Sequence, residues 1–260
     1  MNKHQPHDLK QMQSLPLEAK IRMTQQRIRQ WYEHWDGEVY VSFSGGKDST
    51  VLKHIVDNTP GVYDVPAVFV NTGLEYPEIQ KFVKDVKAGK WDCFNSNVEI
   101  IRPEMRFDEV IKKYGYPAIS KEISEVIYSV RNSKPGKTKT VRMKRLNGEL
   151  LDNNGNKSQF NCENWKFMLD APFEVANHCC AVMKKRPAKR YATETGRKPI
   201  LATMACESRL RYQLWIKNGC NAFDSKDPKS TPMSFWTEQD VLHYIKSSMF
   251  LIARFTVTFR

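Results

Sequence analysis

An apolar run, Val39-Tyr40-Val41-Ser42-Phe43, leads directly into Ser44-Gly45-Gly46-Lys47-Asp48-Ser49. A stretch with Val51, Leu52, Ile55 and Val56 at helical spacing follows at once. The first run reads as a buried strand and the last as a helix, so the chain must turn on two glycines between them. A strand feeding a glycine turn that opens a helix holds anions for a physical reason. The first backbone N–H groups of a helix have no partner within it, and its dipole favours negative charge there. Gly45 and Gly46 allow unusual backbone angles and close approach of a ligand. Ser44 and Ser49 add hydroxyls and Lys47 adds a positive charge. The hexapeptide is not a Walker loop, which needs four residues between its first glycine and the Gly-Lys pair.

Strand and helix patterns continue in alternation. The first strand (38–43) and helix (47–58) are followed by a strand at 66–70, a helix at 77–88 and a strand at 97–101. Such alternation implies a parallel sheet with right-handed crossovers. Residues 107–114 and 121–131 read as helices, 199–204 as a returning strand, and 207–217 as a helix. A last helix at 237–246 opens on Thr237 with Asp240 three residues on, a capping signal. Before the sheet, Leu17, Ile21, Thr24, Ile28, Trp31 and Trp35 mark one face of an amphipathic helix. The expected organisation is a single α/β domain over 1–260. Within it are an N-terminal helical extension (1–37) and a basic, hairpin-like insertion (132–160). The tail (247–260) reads as strand-like, and as truncated or diverged.

The insertion carries Lys134, Lys137, Lys139, Arg142, Lys144 and Arg145, then the turn signals Asn147-Gly148 and Asn153-Asn154-Gly155. It reads as a solvated loop, a lid or a nucleic-acid contact. The net charge of +12 fits a polyphosphate ligand, nucleic acid, or a basic protein with no polymer partner. No run of eighteen apolar residues is present, so no membrane span is expected. Met1 to Lys20 is polar and lacks a signal-peptide core, which makes the cytoplasm the expected compartment. In a reducing cytosol Cys93, Cys162, Cys179, Cys180, Cys206 and Cys220 are expected as thiols, catalytic groups or metal ligands rather than disulfides. The run Lys184-Lys185-Arg186-Pro187-Ala188-Lys189-Arg190 is a solvated helix face or a phosphate or nucleic-acid patch; its cations would favour a nearby thiolate.

Ligands of open parallel sheets bind beyond the carboxyl ends of the strands. Three loops are expected there: 44–49, then Asn71-Thr72-Gly73-Leu74-Glu75-Tyr76-Pro77-Glu78, then the segment holding Glu207, Ser208 and Arg209. Their amides, hydroxyls, carboxylates and arginine suit a nucleotide, with phosphate at the first loop and the nucleoside nearer the second.

Ser44-Gly45-Gly46-Lys47-Asp48-Ser49 resembles the pyrophosphate loop (PP-loop) of the adenine-nucleotide alpha-hydrolase superfamily. The 71–78 segment is similar to the second motif of its phosphoadenosine phosphosulfate reductase family. The resemblance continues through Cys179-Cys180, Lys184-Lys185 and Pro187, Glu207-Ser208-Arg209, and Phe235-Trp236-Thr237-Glu238-Gln239-Asp240-Val241. It implies a doubly wound α/β fold, helices on both faces of the sheet, binding ATP, adenylyl sulfate or phosphoadenosine phosphosulfate. It also implies that Ser44, Gly45, Gly46, Lys47, Asp48 and Ser49 hold phosphate or sulfate. Thr72, Gly73, Glu75 and Glu207 would complete the nucleotide site, and Lys47, Asp48 and Arg209 would act in catalysis. Reductases of the family pass a sulfonate to a cysteine and then to a thiol carrier such as thioredoxin. Iron–sulfur members use a double cysteine, which makes Cys179, Cys180, Cys206 and Cys220 the candidate ligands of a [4Fe-4S] cluster here.

The pattern departs from the family at Asn71, where aspartate is frequent, in lacking a CxxC after Cys180, and in lacking a C-terminal Glu-Cys-Gly-type segment. Three functions follow. The first is a reductase-like enzyme of sulfur metabolism acting at the phosphate or sulfate of the nucleotide. The second is an ATP-dependent adenylating sulfurtransferase acting on nucleic acid. The third is a nucleotide-binding regulator with reduced catalysis. Oligomeric state is not readable from the sequence.

Overall fold

The computed structural model describes residues 2–247. The strand-like reading of the tail falls on 248–260, outside the described residues. The chain forms two compact units. The described part of the first is 2–71, 75–101 and 188–247; the second is 72–74 and 102–187.

In the first unit, helices α1 (Asp8–Gln13) and α2 (Leu17–His34) precede strand β1 (Val39–Ser42) and helix α3 (Lys47–Asp57). Strand β2 (Ala67–Val70), helix α4 (Pro77–Lys87) and strand β3 (Val98–Ile101) continue the alternation as the sequence pattern predicts. The six-stranded sheet has the order β3-β2-β1-β4-β6-β5, where β4 is Lys198–Ile200, β5 Asn221–Ala222 and β6 Lys229–Ser230. All pairings are parallel except β5 with β6. Strand order runs outward from β1 in one direction and from β4 in the other, so the topological switch point lies between these two.

The period-2 alternation of β1 places a different core on each face. Val39, Val41 and Phe43 join Ala67, Phe69 and Val98 in a core that also buries Ile28 and Trp31 of α2 and Val51, Leu52 and Ile55 of α3. Tyr40 and Val68 face the other way, against Tyr191 and Ala192. The sheet is therefore doubly wound. The expected 199–204 strand leaves the ladder early: Leu201 N–H still bonds Ser230 O (2.8 Å), but β6 ends there. Pro232, two residues on, offers no N–H to extend a ladder.

Helix α2 buries Lys20 on its apolar face together with Thr24, Ile28 and Trp31. The Lys20 ammonium donates to both oxygens of Asp240 (2.9 and 2.8 Å) and to Gln13 O (2.7 Å). Asp240 lies in helix α10 (Glu238–Ser247), and its carboxylate also accepts Thr237 N–H and Oγ (both 2.7 Å) while Thr237 Oγ accepts Asp240 N–H (3.2 Å). The capping signal thus closes on itself and also carries a buried ion pair. Trp236 Nε1 donates to Thr24 Oγ (2.9 Å), a second tie between α10's entry and α2.

The second unit is helical: α5 (Phe107–Tyr114), α6 (Lys121–Asn132) and α7 (Lys137–Asn147), then a 3-10 helix at Glu163–Asp170. Val126, Ile127, Val130, Leu146, Met168 and Val175 form its core. Much of the basic insertion is thus a helix. The Asn147-Gly148 signal is its end, because Gly148 takes a left-handed φ of +74° and the next N–H, of Glu149, returns to Lys144 O (2.8 Å). The hairpin character lies at 151–157, where Leu151 and Lys157 bridge antiparallel around the Asp152–Gly155 turn. From Cys179 to Thr195 the chain is helical, with a π turn at Ala181–Lys185 and, beyond it, α8 (Arg186–Thr195).

Removing one member of a buried ion pair leaves the other unpaired, at a cost of about 3–5 kcal/mol. Lys20→Met is therefore expected to lower the unfolding free energy by about that amount in urea. Although burial opposes it, the hydrogen bonds of Lys20 and Thr237 hold the Asp240 carboxyl below the ordinary carboxylate range. Its contribution is present at neutral pH and lost as pH falls below the unfolded value of about 3.9 toward the lower folded one. The stability gap between wild type and Asp240→Asn is expected to narrow on acidification over that window, measured by denaturation at a series of pH values.

Candidate functional site

Helix α9 (Arg209–Asn218) follows β4 through a short 3-10 turn, Ala205–Glu207, so two loops leave adjacent carboxyl ends at the switch point: 44–49 after β1 and 201–208 after β4. The first is held by its own side chains. Ser44 N–H donates to Ser49 Oγ (3.1 Å), the two hydroxyls are 2.9 Å apart, and Ser49 Oγ donates to Gly46 O (3.0 Å). Gly46 N–H donates to Ser44 Oγ (3.3 Å). These bonds fold residues 44–49 into a cup at the start of α3. Gly46 is the N-cap and supplies no side-chain acceptor, so its first-turn amides are left for another group.

Gly45 has a φ of +72°, and a Cβ there would lie 2.7 Å from Ile79 Cγ2 and 3.2 Å from Val83 Cγ2. The glycine is therefore what lets α4 press against the loop. Lys47 Nζ lies 3.2 Å from Asp48 Oδ1 and 3.2 Å from Glu238 Oε1. Burial pulls the Lys47 ammonium down, but hydrogen bonds and charge from Asp48 and Glu238 outweigh it and leave the pKa raised, so the cation is firmly charged. Glu238 is a residue that sequence reasoning placed in a motif without a role. Its only signal was its position at the start of a helix two residues after Trp236.

After β4, Glu207 serves the loop itself: its carboxylate accepts Met204 N–H (2.6 Å) and pairs with Arg211. Ser208 Oγ caps α9 by accepting Arg211 N–H (3.3 Å), and Arg209 is exposed at the helix start. Beside this loop a cavity of about 250 Å³ is lined by Leu201, Met204, Leu210, Leu214, Trp215 and Thr231 among others. After β2, Asn71 Nδ2 lies 3.5 Å from Gln80 Oε1, and Gln80 Nε2 donates to the Glu75 carbonyl (3.1 Å). Thr72 and Gly73 group with the second unit, where Thr72 Oγ accepts Leu74 N–H (3.3 Å). Ser44, Gly45, Gly46, Lys47, Asp48 and Ser49 are thus one cluster, with Glu207 and Arg209 on the neighbouring loop.

Among the described residues no group of three or more His, Cys, Asp or Glu side chains is placed to hold a metal ion. Cys220 is buried in the apolar core, and that burial pushes its thiol up to about 11. Cys179 is half-buried, and Cys180 and Cys206 are exposed. Burial, with the nearby carboxylates of Glu207, Asp240 and Glu238, also raises the Cys206 thiol. Cys220, buried with its thiol raised, does not fit the iron–sulfur cluster expected at Cys179, Cys180, Cys206 and Cys220, which is held by thiolates.

Residues 38–147 match the family model of the phosphoadenosine phosphosulfate reductase domain. Two uncharacterized proteins of Methanocaldococcus jannaschii are similar to this chain. One is 39% identical over 92 residues, 35% of this chain and 18% of that protein. The other is 33% identical over 93 residues, 35% of this chain and 21% of that protein. The chain therefore spans about a fifth of the length of the curated relatives it matches. A crystal structure of phosphoadenylyl-sulfate reductase from Candida auris, in complex with phosphate, aligns with 91% of this chain and 88% of its own, at 16% identity and a TM-score of 0.46.

The loop geometry separates its two glycines. Gly45→Ala combines a left-handed backbone with a steric clash and is expected to destabilise the fold by about 2–4 kcal/mol. At Gly46 a Cβ would meet only Ser44 Oγ at 3.4 Å, so Gly46→Ala is expected to cost under about 1 kcal/mol. Urea denaturation of the two variants checks the difference.

Proposed function

We propose that this chain, whose residues 38–147 match the family model of the phosphoadenosine phosphosulfate reductase domain, binds an adenine nucleotide and acts at its phosphate or sulfate. The observation that carries the reading is the self-bonded Ser44–Ser49 cup, whose glycine-capped helix start opens at the switch point of the sheet. In this role the amides of the first turn of α3 hold the phosphate, and the Ser44 and Ser49 hydroxyls, bonded within the loop, keep it shaped around the anion. Lys47 and Arg209 stabilise charge that develops on it, and Asp48 positions Lys47. An incoming phosphate competes with Glu238 for Lys47.

The reaction favoured by the family match is reductive. A thiolate attacks the sulfonate sulfur, the sulfur–oxygen bond to the nucleotide phosphate breaks, and the phosphate leaves with the electron pair. A dithiol carrier then releases sulfite and becomes the disulfide. An ATP-dependent adenylation would place its charge over the same loop, with pyrophosphate as the leaving group, and is the second reading.

A thermal-shift panel of ATP, adenylyl sulfate and phosphoadenosine phosphosulfate tests the proposal, with product analysis of each. One of the three is expected to raise Tm, and Lys47→Ala to weaken that nucleotide at least about tenfold with the fold intact, the loss of a charge-assisted contact. Sulfite release with reduced thioredoxin marks the reductive route, and pyrophosphate release from ATP the adenylating one. No shift with any of the three would overturn the reading.

A further inference from the structure

The second unit carries charge out of proportion to its size. Over 102–187 there are 17 Lys and Arg against 10 Asp and Glu, a net +7 of the chain's +12. Helix α7 concentrates it, with five cations and no acid in Lys137–Asn147. Three of the five have structural work: Arg142 pairs with Glu125 (2.8 Å), Arg145 with Glu122 (2.5 Å), and Lys139 Nζ donates to Ser133 O (3.2 Å). Lys137 and Lys144, spaced by seven on one helix face, are exposed and have no ion pair among the described residues.

Aromatic rings flank this helix and are left in solvent. Phe160 is 52% exposed, Trp165 37% and Phe167 63%. They are tied to α7 rather than trailing from a free loop. Arg145 Nε donates to Phe160 O (2.7 Å), and its guanidinium sits 5.9 Å from the Phe160 ring centroid. Cys162 N–H bonds Arg145 O (2.9 Å) and Trp165 N–H bonds Cys162 O (3.0 Å). The Trp165 and Phe167 rings lie 6.2 Å apart, with the exposed Lys166 between them in sequence. Three exposed rings within eight residues, held against a helix bearing unpaired lysines, combine the two features that bind unpaired nucleotides: cations for the phosphates and aromatic faces for the bases.

We infer that the second unit binds single-stranded nucleic acid along α7 and the adjoining 160–167 segment, with Lys137, Lys144 and Lys166 on phosphates and Phe160, Trp165 and Phe167 stacking bases. A paired duplex keeps its bases stacked inside and offers these rings nothing. An anionic membrane calls for a broad apolar helix face free to insert, whereas α7 exposes only Val141 and Met143 among its cations and spends Leu146 in the unit's own core. This inference is independent of the nucleotide site in the first unit.

Fluorescence anisotropy of the full chain with a labelled 20-nucleotide single strand, its duplex, and phosphatidylserine vesicles as competitor tests it. The single strand is expected to bind more tightly than the duplex. Lys137→Gln with Lys144→Gln is expected to flatten the plot of log affinity against log salt by about 1.4, two phosphate contacts on a single strand. Phe167→Ala and Trp165→Ala are each expected to weaken binding about five- to a hundredfold with little change in that slope. An unchanged melting temperature shows that each variant is folded, and Phe167→Ala, at the most exposed of the rings, serves should Trp165→Ala not fold. No saturable binding of the single strand at 50 mM salt, equal or tighter binding of the duplex, displacement by vesicles, or affinity unmoved by these substitutions would each overturn it.

Discussion

The turn between β1 and α3 is the constraint on which the rest of the molecule's front depends. Two serine hydroxyls 2.9 Å apart close residues 44–49 on themselves. Gly45 beneath it has no side chain, and α4 fills the space a Cβ would take. The sheet order then decides what stands opposite, because β4 is the parallel neighbour across the switch point and its loop delivers Glu207 and Arg209. A loop held by its own hydrogen bonds, with no side chain capping the first turn of α3, favours an anion because its polar groups need little reorganisation on binding.

Helix α10 links stability to this site. Asp240 caps the helix and neutralises the buried Lys20, which fixes the helix start against α2. That same start carries Glu238, whose carboxylate meets Lys47. The buried pair is about stability; the exposed one two residues earlier sets the electrostatics of the loop, and the two are locked into one geometry by one turn of helix. Charge elsewhere is segregated. The second unit holds most of the net positive charge on a surface that also exposes aromatic rings, features unneeded for a mononucleotide.

Much of this was legible in the residues. The alternation of apolar runs and helical spacing from Val39 to Ile101 located three strands and two helices to within a residue or so, since periodicity reports burial directly. Thr237 and Asp240 were readable as a cap because capping chemistry is local. What stayed hidden was long-range. Lys20 looks like a solvated lysine until Asp240, 220 residues away, is brought to it. Glu238 gains meaning only beside Lys47. Asn147-Gly148 signals a turn equally well as a hairpin or a helix end, and the apolar pattern of so basic a helix is weak. The residues after Ile200 have strand propensity, but β6 is too short to pair with them. Conversely, spacing alone allowed four cysteines to be gathered at one centre, and burial of Cys220 in the core argues against it.

The proposed role of the 44–49 loop is to receive the phosphate of an adenine nucleotide. Amide N–H chemical shifts of isotope-labelled protein, followed while ATP, adenylyl sulfate or phosphoadenosine phosphosulfate is titrated in, test this most directly. The largest shifts are expected at Gly45, Gly46, Lys47, Asp48 and Ser49, with smaller ones at Ser208 and Arg209. Shifts confined to the cavity lined by Leu210, Leu214 and Trp215, with the 44–49 amides unmoved at saturation, would contradict it.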